Sequence, residues 1–200
     1  MVRVLIDEIK NNAKKNHVPI MQDEGIEYIV NYIKQNNVKT ILEIGTAVGY
    51  SSIMFASISE EIHITTIERD DEMYKQAVKN INKCCLNHQI EVIHDDALKT
   101  DINGKYDLIF IDAAKSQYIK FFEKYKHNLD KDGVIITDNL SFHGLVEDDS
   151  KTNNRNTKQL VKKIRNYIEF LKNNEEFDTE FLSIGDGISI SKLKISTCKK

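Results

Sequence analysis

Asp112 closes the β-branched run Tyr106-Asp-Leu-Ile-Phe-Ile-Asp112, and Asp138 and Asn139 close a second run that begins at Gly133. Two carboxylates and a carboxamide are hard oxygen donors of the kind Mg²⁺ prefers, an ion that keeps some waters and takes substrate oxygens at its remaining positions. An Asp-Asn pair by itself is a common turn. The informative feature is that donors from two neighbouring strand ends would converge at one edge of a sheet. Lys115 follows Asp112 by three residues, in the first turn of the next helical stretch. A lysine beside a dication gives up its proton more readily and can act as a general base, although spacing alone fits an ordinary surface lysine better.

A second set of residues suits a nucleoside. The run Thr40-Ile-Leu-Glu-Ile44 passes into Gly45-Thr-Ala-Val-Gly49-Tyr-Ser51, so Glu43 stands just before a glycine turn into a helix. Gly45 permits a tight turn, and Gly49 a close approach of backbone to a ligand or strand. A dinucleotide site would want G-x-G-x-x-G. Here the spacing is G-x-x-x-G, and Glu43 would put a negative charge where a pyrophosphate has to lie, so a cationic ligand fits better than NAD. The next run, His63-Ile-Thr-Thr-Ile-Glu68, ends in an acid that can accept ribose hydroxyl hydrogens. After a third run, Ile90–His94, come Asp95, Asp96 and Ala97. The Asp96 carboxylate and the Ala97 amide suit an adenine edge, or form a plain surface turn.

Such residues need a scaffold that delivers strand ends to one edge. Short β-branched runs alternate with helical patterns expected from Tyr50 to about Ser57, Asp71 to about Cys84, Lys115 to Asn128 and Thr152 to Lys172. In the third, Tyr118, Phe121, Phe122, Tyr125 and Leu129 share one face. Phe177 to Ile184 and Gly187 to Leu193 read as strands joined by a Gly185-Asp186 hairpin. Alternation implies parallel strands with right-handed crossovers, and the hairpin adds an antiparallel strand at one edge. In a doubly wound α/β sheet of this kind, ligands bind outside the carboxyl ends of the strands. No repeat or linker interrupts the 200 residues, which read as one domain.

Apolar residues at 40% and charged residues at 30% allow both a core and solubility, and Gly and Pro are too scarce for a collagen-like or low-complexity chain. No apolar run nears the roughly 20 residues of a membrane helix, and the charged N-terminal stretch lacks a secretory apolar core. Cys84, Cys85 and Cys198 form no C-x-x-C, which suggests reduced thiols in a cytoplasmic protein rather than disulfides or zinc. The net charge of -3 argues against a uniformly basic surface, yet Lys151 to Lys172 holds seven basic residues against the single acid Glu169. On a helix Leu160, Ile164, Tyr167, Ile168 and Leu171 gather on one face, with Lys151, Arg155, Lys158, Lys162 and Arg165 opposite. Such a stripe can meet a phosphate backbone, or be the solvated face of a lysine-rich protein.

The stretches LEIGTAVGYSS, TTIERD, HDDAL, YDLIFIDAAKSQY and GVIITDNL, with VPIMQDEG upstream and SIGDGISISKL at the close, together resemble a known family. It is that of the bacterial, Mg²⁺-dependent, catechol-type (caffeoyl-CoA-like) O-methyltransferases that use S-adenosylmethionine. The likeness runs from about Val18 to Leu193. It implies the Rossmann-like class I methyltransferase fold, a mostly parallel seven-stranded sheet of order 3-2-1-4-5-7-6 with helices on both faces. By motif, it implies that Met21, Glu43, Gly45, Gly49, Ser51, Glu68, Asp96, Ala97 and Asp112 line the donor site. It further implies that Asp112, Asp138 and Asn139 hold Mg²⁺ and that Lys115 is the general base. A homodimer is also implied. Because the chain begins close to Val18, much of the leading helix that often serves the family's dimer interface and substrate lid is expected to be missing.

A catechol-type site calls for an acceptor with two adjacent oxygens, a description that small phenols and 5-hydroxyuridine both meet. FIDAAKSQY, DNLSFHGLV and NNRNTKQLVKKIR look most like the subgroup that methylates 5-hydroxyuridine at the tRNA wobble position, giving 5-methoxyuridine. That likeness implies a tRNA anticodon loop as partner, with Arg155, Lys158, Lys162 and Arg165 on its phosphates. Phe142 and His143, which follow Asn139, suit stacking on the base and equally suit core or loop filling. Small catechol or caffeoyl-type phenols are the alternative acceptors.

Overall fold

A computed structural model describes residues 2–194. Its seven strands are β1 (Thr40–Ile44), β2 (His63–Glu68), β3 (Ile90–His94), β4 (Tyr106–Ile111), β5 (Leu129–Thr137), β6 (Phe177–Leu182) and β7 (Ile188–Leu193). They form one sheet in the order β3-β2-β1-β4-β5-β7-β6, as expected. The first five are parallel, and β7 is antiparallel to both β5 and β6. The antiparallel strand therefore lies one place in from the edge rather than at it. The hairpin folds β7 back between β5 and β6, so the edge strand again runs with the parallel set.

Alternation along each strand splits the core in two. Ile41, Leu108 and Phe110 face a cluster with α1 (Val2–Lys15), α2 (Asp23–Gln35), α3 (Tyr50–Ala56) and α4 (Asp71–Lys83). Leu42, Ile44, Ile109 and Ile111 face α5 (Tyr118–Tyr125) and α6 (Arg155–Lys172). Helices thus cover both faces. The segment before Val18 is not bare: α1 is a 14-residue amphipathic helix that buries Ile6, Ile9 and Ala13.

Two helical expectations change. Lys115 to Asn128 is three pieces, with 3₁₀ turns at Lys115–Gln117 and Lys126–Asn128 flanking α5, although Tyr118, Phe121, Phe122, Tyr125 and Leu129 are buried as expected. The last helix starts at Arg155 and not Thr152, because Asn154 Oδ1 accepts the amides of Asn156 (2.9 Å) and Thr157 (3.1 Å) and so fixes the N-terminus. Lys151 consequently lies outside α6, in the 3₁₀ turn Asp149–Lys151. Among the described residues no helix is long and apolar enough to cross a membrane. Cys84 and Cys85 are free thiols, and Cys198 lies outside the described residues.

The β1–β4 pairing matters most for the site. Asp107 Oδ2 accepts from the Lys39 amide (2.8 Å), the Thr40 amide (2.9 Å) and Thr40 Oγ1 (3.0 Å), pinning the start of β1 to β4. At the other end, backbone bonds step across the sheet from Gly45 N to Ile67 O (3.1 Å), Asp112 N to Ile44 O (3.0 Å) and Asp138 N to Ile111 O (3.2 Å). The residues that close β1, β4 and β5 are thereby held in a row.

Candidate active site

The carboxyl ends of the parallel strands open on a cavity of ≈ 330 Å³, within the range of small-molecule sites. Its wall includes Met21, Gly45, Ser51, Glu68, Asp96, Ala97, Asp112, Lys115 and Asn139. Residues more than a hundred positions apart in the chain therefore meet as the strand-end reading requires. Three expected members stand elsewhere: Glu43 and Gly49 lie behind the wall, and Asp138 is buried next to Asn139 at one end of it.

At one end the groups suit a nucleoside. Glu68 accepts the amides of Ala47 (2.8 Å, through Oε2) and Asp70 (2.9 Å, through Oε1), which fixes its carboxylate and leaves each oxygen a lone pair for a hydroxyl. Asp96 Oδ1 accepts the Leu98 amide (2.9 Å), and Tyr125 Oη donates to the Ala97 carbonyl (2.5 Å). The Ala97 amide itself donates to no group among the described residues and lies at the cavity, free for a ring nitrogen.

Glu43 does not reach the cavity. It alternates onto the α3 face, is fully buried, and accepts from the hydroxyls of Ser51, Ser52 and Thr66, the last at 2.6 Å. Its contribution is to hold the first turn of α3 against β1, with Ser51 passing between it and the cavity. Burial pushes its carboxyl up to about 7 against the pull of the three hydroxyls, with Asp112 adding a further upward push. A carboxyl raised in the folded state costs stability as pH rises from its ordinary value through the folded one. We therefore expect Glu43→Gln to stabilise the protein at pH 8 relative to wild type, by up to about 3 kcal/mol, and to lose that advantage near pH 5. Urea titrations at both pH values check this, and a difference that does not vary with pH refutes it. Gly49 is displaced for another reason. It caps α3 at φ 80° and packs on Ala77 and Ile81 of α4, so its close approach is to a helix and not to a ligand.

The opposite end gathers oxygen donors. Asp138 is 1% exposed; its Oδ2 accepts from Asn139 Nδ2 (2.7 Å), while its Oδ1 is buried without a partner. Burial, reinforced by Asp112, pushes the Asp138 carboxyl up to about 8. Burial also raises Asp112, with Lys115 opposing. Lys115 Nζ donates to Asn139 Oδ1 and sits 5.7 Å from the centroid of the Phe142 ring. Among the described residues no three His, Cys, Asp or Glu side chains cluster as a metal site; the set here is two carboxylates and an amide. An orphaned carboxylate oxygen beside a second recessed carboxylate is what a hard dication would complete, so these residues fit Mg²⁺.

Asp186, read from the sequence only as half of a hairpin turn, belongs to this end. It is 4% exposed, accepts the His143 amide through Oδ1 (2.5 Å), and its carbonyl accepts the Ser141 amide (2.8 Å). The hairpin tip so holds the loop that follows Asn139, where Asn139, Phe142 and His143 all take left-handed backbone angles. The strand order already contained this signal. An antiparallel strand beside β5 must start where β5 ends, which puts its turn against Asp138 and Asn139.

The basic stripe is only partly as expected. Arg155, Lys158 and Lys162 are exposed and make no ion pair among the described residues. Arg165 is partly engaged. Its Nε donates to the Val146 carbonyl (2.8 Å) and its Nη1 to Asp149 Oδ2 (3.0 Å), clamping the post-Asn139 loop to α6.

The architecture has known counterparts. A Staphylococcus aureus protein, provisionally named a caffeoyl-CoA O-methyltransferase, superposes with a TM-score of 0.91 at 45% identity, over 94% of this chain and 92% of its own. The O-methyltransferase of Bacillus cereus, solved with S-adenosylhomocysteine, gives a TM-score of 0.81 at 25% identity, over 96% of this chain and 91% of its own. An Arabidopsis thaliana protein, also provisionally named a caffeoyl-CoA O-methyltransferase, is 30% identical across 90% of this chain and 79% of its own length. The sheet order, shared with these class I enzymes, and the match of residues 2–194 to the family model described as O-methyltransferase agree, and the chain belongs to that O-methyltransferase family.

Proposed function

We propose that the protein transfers the methyl group of S-adenosylmethionine to an acceptor that presents two adjacent oxygens, with Mg²⁺ held by Asp112, Asp138 and Asn139. One observation carries this reading: Asp112 and Asn139 share a cavity wall with Glu68, Asp96 and Ala97, so a nucleoside donor and an oxygen acceptor can meet across Asp112. Glu68 would take the ribose hydroxyls, and Asp96 and the Ala97 amide the base. The acidic wall favours a sulfonium over the neutral thioether left after transfer. Lys115 is placed to take the acceptor proton. When bound, Mg²⁺ would fix the acceptor oxygens and stabilise the developing oxyanion. The loop held by Asp186 and Arg165 would order the acceptor and limit water, so that much of the rate comes from alignment.

For the acceptor, small catechol or caffeoyl-type phenols are the first reading, in keeping with the names of the relatives. A second reading, 5-hydroxyuridine in a tRNA anticodon loop, is favoured by the exposed, unpaired Arg155, Lys158 and Lys162. Purified protein with S-adenosylmethionine and Mg²⁺ should methylate a catechol or caffeoyl-CoA, lose that activity in EDTA, and be indifferent to Arg155→Glu. Mass spectrometry of nucleosides from tRNA lacking the modification tests the second reading. There, methylation weakened by Arg155→Glu and by salt would replace the phenol with the nucleoside. Turnover on neither acceptor class overturns the proposal.

A further inference from the structure

A buried tyrosine hydroxyl needs a partner, and the partner shows what the side chain holds. Three tyrosines of α5 and α6 are buried. Tyr125 Oη donates to the Ala97 carbonyl, and Tyr167 Oη shares a hydrogen bond with Thr137 Oγ1 (2.8 Å). Tyr118 Oη donates to the Asp138 carbonyl (3.0 Å), and no other group among the described residues donates to that oxygen.

Two features make this bond more than a core contact. The first is the peptide it holds. The Asp138 carbonyl and the Asn139 amide belong to one planar unit, so a hold on the carbonyl fixes how Asn139 is set relative to Asp138. Asn139 takes φ +64°, a left-handed angle that asparagine tolerates but does not prefer. Without an anchor the turn is free to relax toward a negative φ. The second feature is where the hydroxyl comes from. Lys115 opens the 3₁₀ turn that ends at Gln117, and α5 starts at Tyr118. Lys115 Nζ donates to Asn139 Oδ1. One turn of chain thus grips two consecutive residues, the lysine from the cavity and the tyrosine from the core. A lysine that takes an acceptor proton has to leave Asn139. The tyrosine bond has no such duty and stays.

We infer that Tyr118 is a positioning residue, whose hydroxyl holds the Asp138–Asn139 pair in the arrangement with Lys115 that a metal and an acceptor require. This rests on the reading that Asp112, Asp138 and Asn139 hold Mg²⁺. It gives the conserved geometry of the cavity wall a support in the core, from a side chain that touches neither ligand.

The test compares Tyr118→Phe with Tyr167→Phe. Each variant removes one buried hydroxyl from a pair of rings whose centroids lie 5.2 Å apart, and only the first hydroxyl touches Asp138. Thermal unfolding without ligand should show Tm losses of similar size. Calorimetric titration with Mg²⁺ should show binding weakened about tenfold or more in Tyr118→Phe and unchanged in Tyr167→Phe. In Tyr118→Phe kcat should fall as well, while affinity for S-adenosylhomocysteine holds, because Glu68, Asp96 and Ala97 come from the ends of β2 and β3. Undiminished Mg²⁺ affinity in Tyr118→Phe, equal losses of affinity in the two variants, or a Tm loss in Tyr118→Phe several times that of Tyr167→Phe overturns the assignment to Tyr118 and leaves the metal reading standing. Failure of wild type to bind Mg²⁺ overturns the metal reading, and this inference with it.

Discussion

Asp138→Asn should abolish Mg²⁺ binding and reduce turnover by about 10²- to 10³-fold, while making the ion-free protein more stable at alkaline pH. The three effects share one cause. Asp138 is buried beside Asp112, one of its oxygens has no partner, and its carboxyl is pushed up to about 8. Relative to the unfolded chain, the folded state loses stability as pH rises from the ordinary carboxylate range through about 8, because the proton it favours must leave. Asparagine cannot ionise, so its advantage grows over that window. A bound dication would supply the compensating charge in wild type and would need the same proton gone, so the Mg²⁺-induced rise in wild-type Tm should grow from pH 6 to pH 8. Thermal unfolding across that range, with and without Mg²⁺, reads the stability and the Mg²⁺ binding, and initial rates read the turnover. Full Mg²⁺-dependent turnover in the variant would remove Asp138 from the site.

The strand-end residues were legible because a buried parallel strand leaves a plain mark. A β-branched run such as Tyr106–Ile111 stops, and whatever polar residue follows must sit at the sheet edge. Asp112, Asn139, Glu68, Asp96 and Ala97 all came to one cavity on that rule. The same rule misjudged Glu43. It lies inside β1 rather than after it, and period-two alternation turns it to the α3 face, where three hydroxyls meet it. The engagement of Arg165 was not legible because a helical wheel gives a direction and not a neighbour. The loop that folds back to present the Val146 carbonyl and Asp149 leaves no periodic signal. The breaks on either side of α5 are tertiary as well. Lys115 and Gln117 both line the cavity two residues apart, within the tighter 3₁₀ turn Lys115–Gln117.

Gly45→Ala should be the most damaging glycine-to-alanine substitution among the described residues, costing about 3 kcal/mol or more of stability and about 10²-fold or more in turnover. Gly45 holds φ +102°, which an L side chain rarely adopts, and a Cβ there would lie 2.2 Å from the Asp112 carbonyl oxygen and 3.2 Å from Ala113 Cα. Those atoms are backbone, fixed by the bond from Asp112 N to Ile44 O, and cannot swing aside as a side-chain tip would. Relief requires the ends of β1 and β4 to part, which moves the Asp112 carboxylate, the one group shared by both ends of the proposed site. Gly104 supplies the control. It has the same φ of +102° and nothing within 4 Å of its would-be Cβ, so Gly104→Ala carries the backbone strain alone, of the order of 1 kcal/mol, and should leave turnover intact. Urea unfolding and initial rates on both variants separate crowding from strain. Equal and small effects at the two positions would mean that the β1 turn yields without moving Asp112, and the tight approach of those strand ends would then not be what sets the geometry of the site.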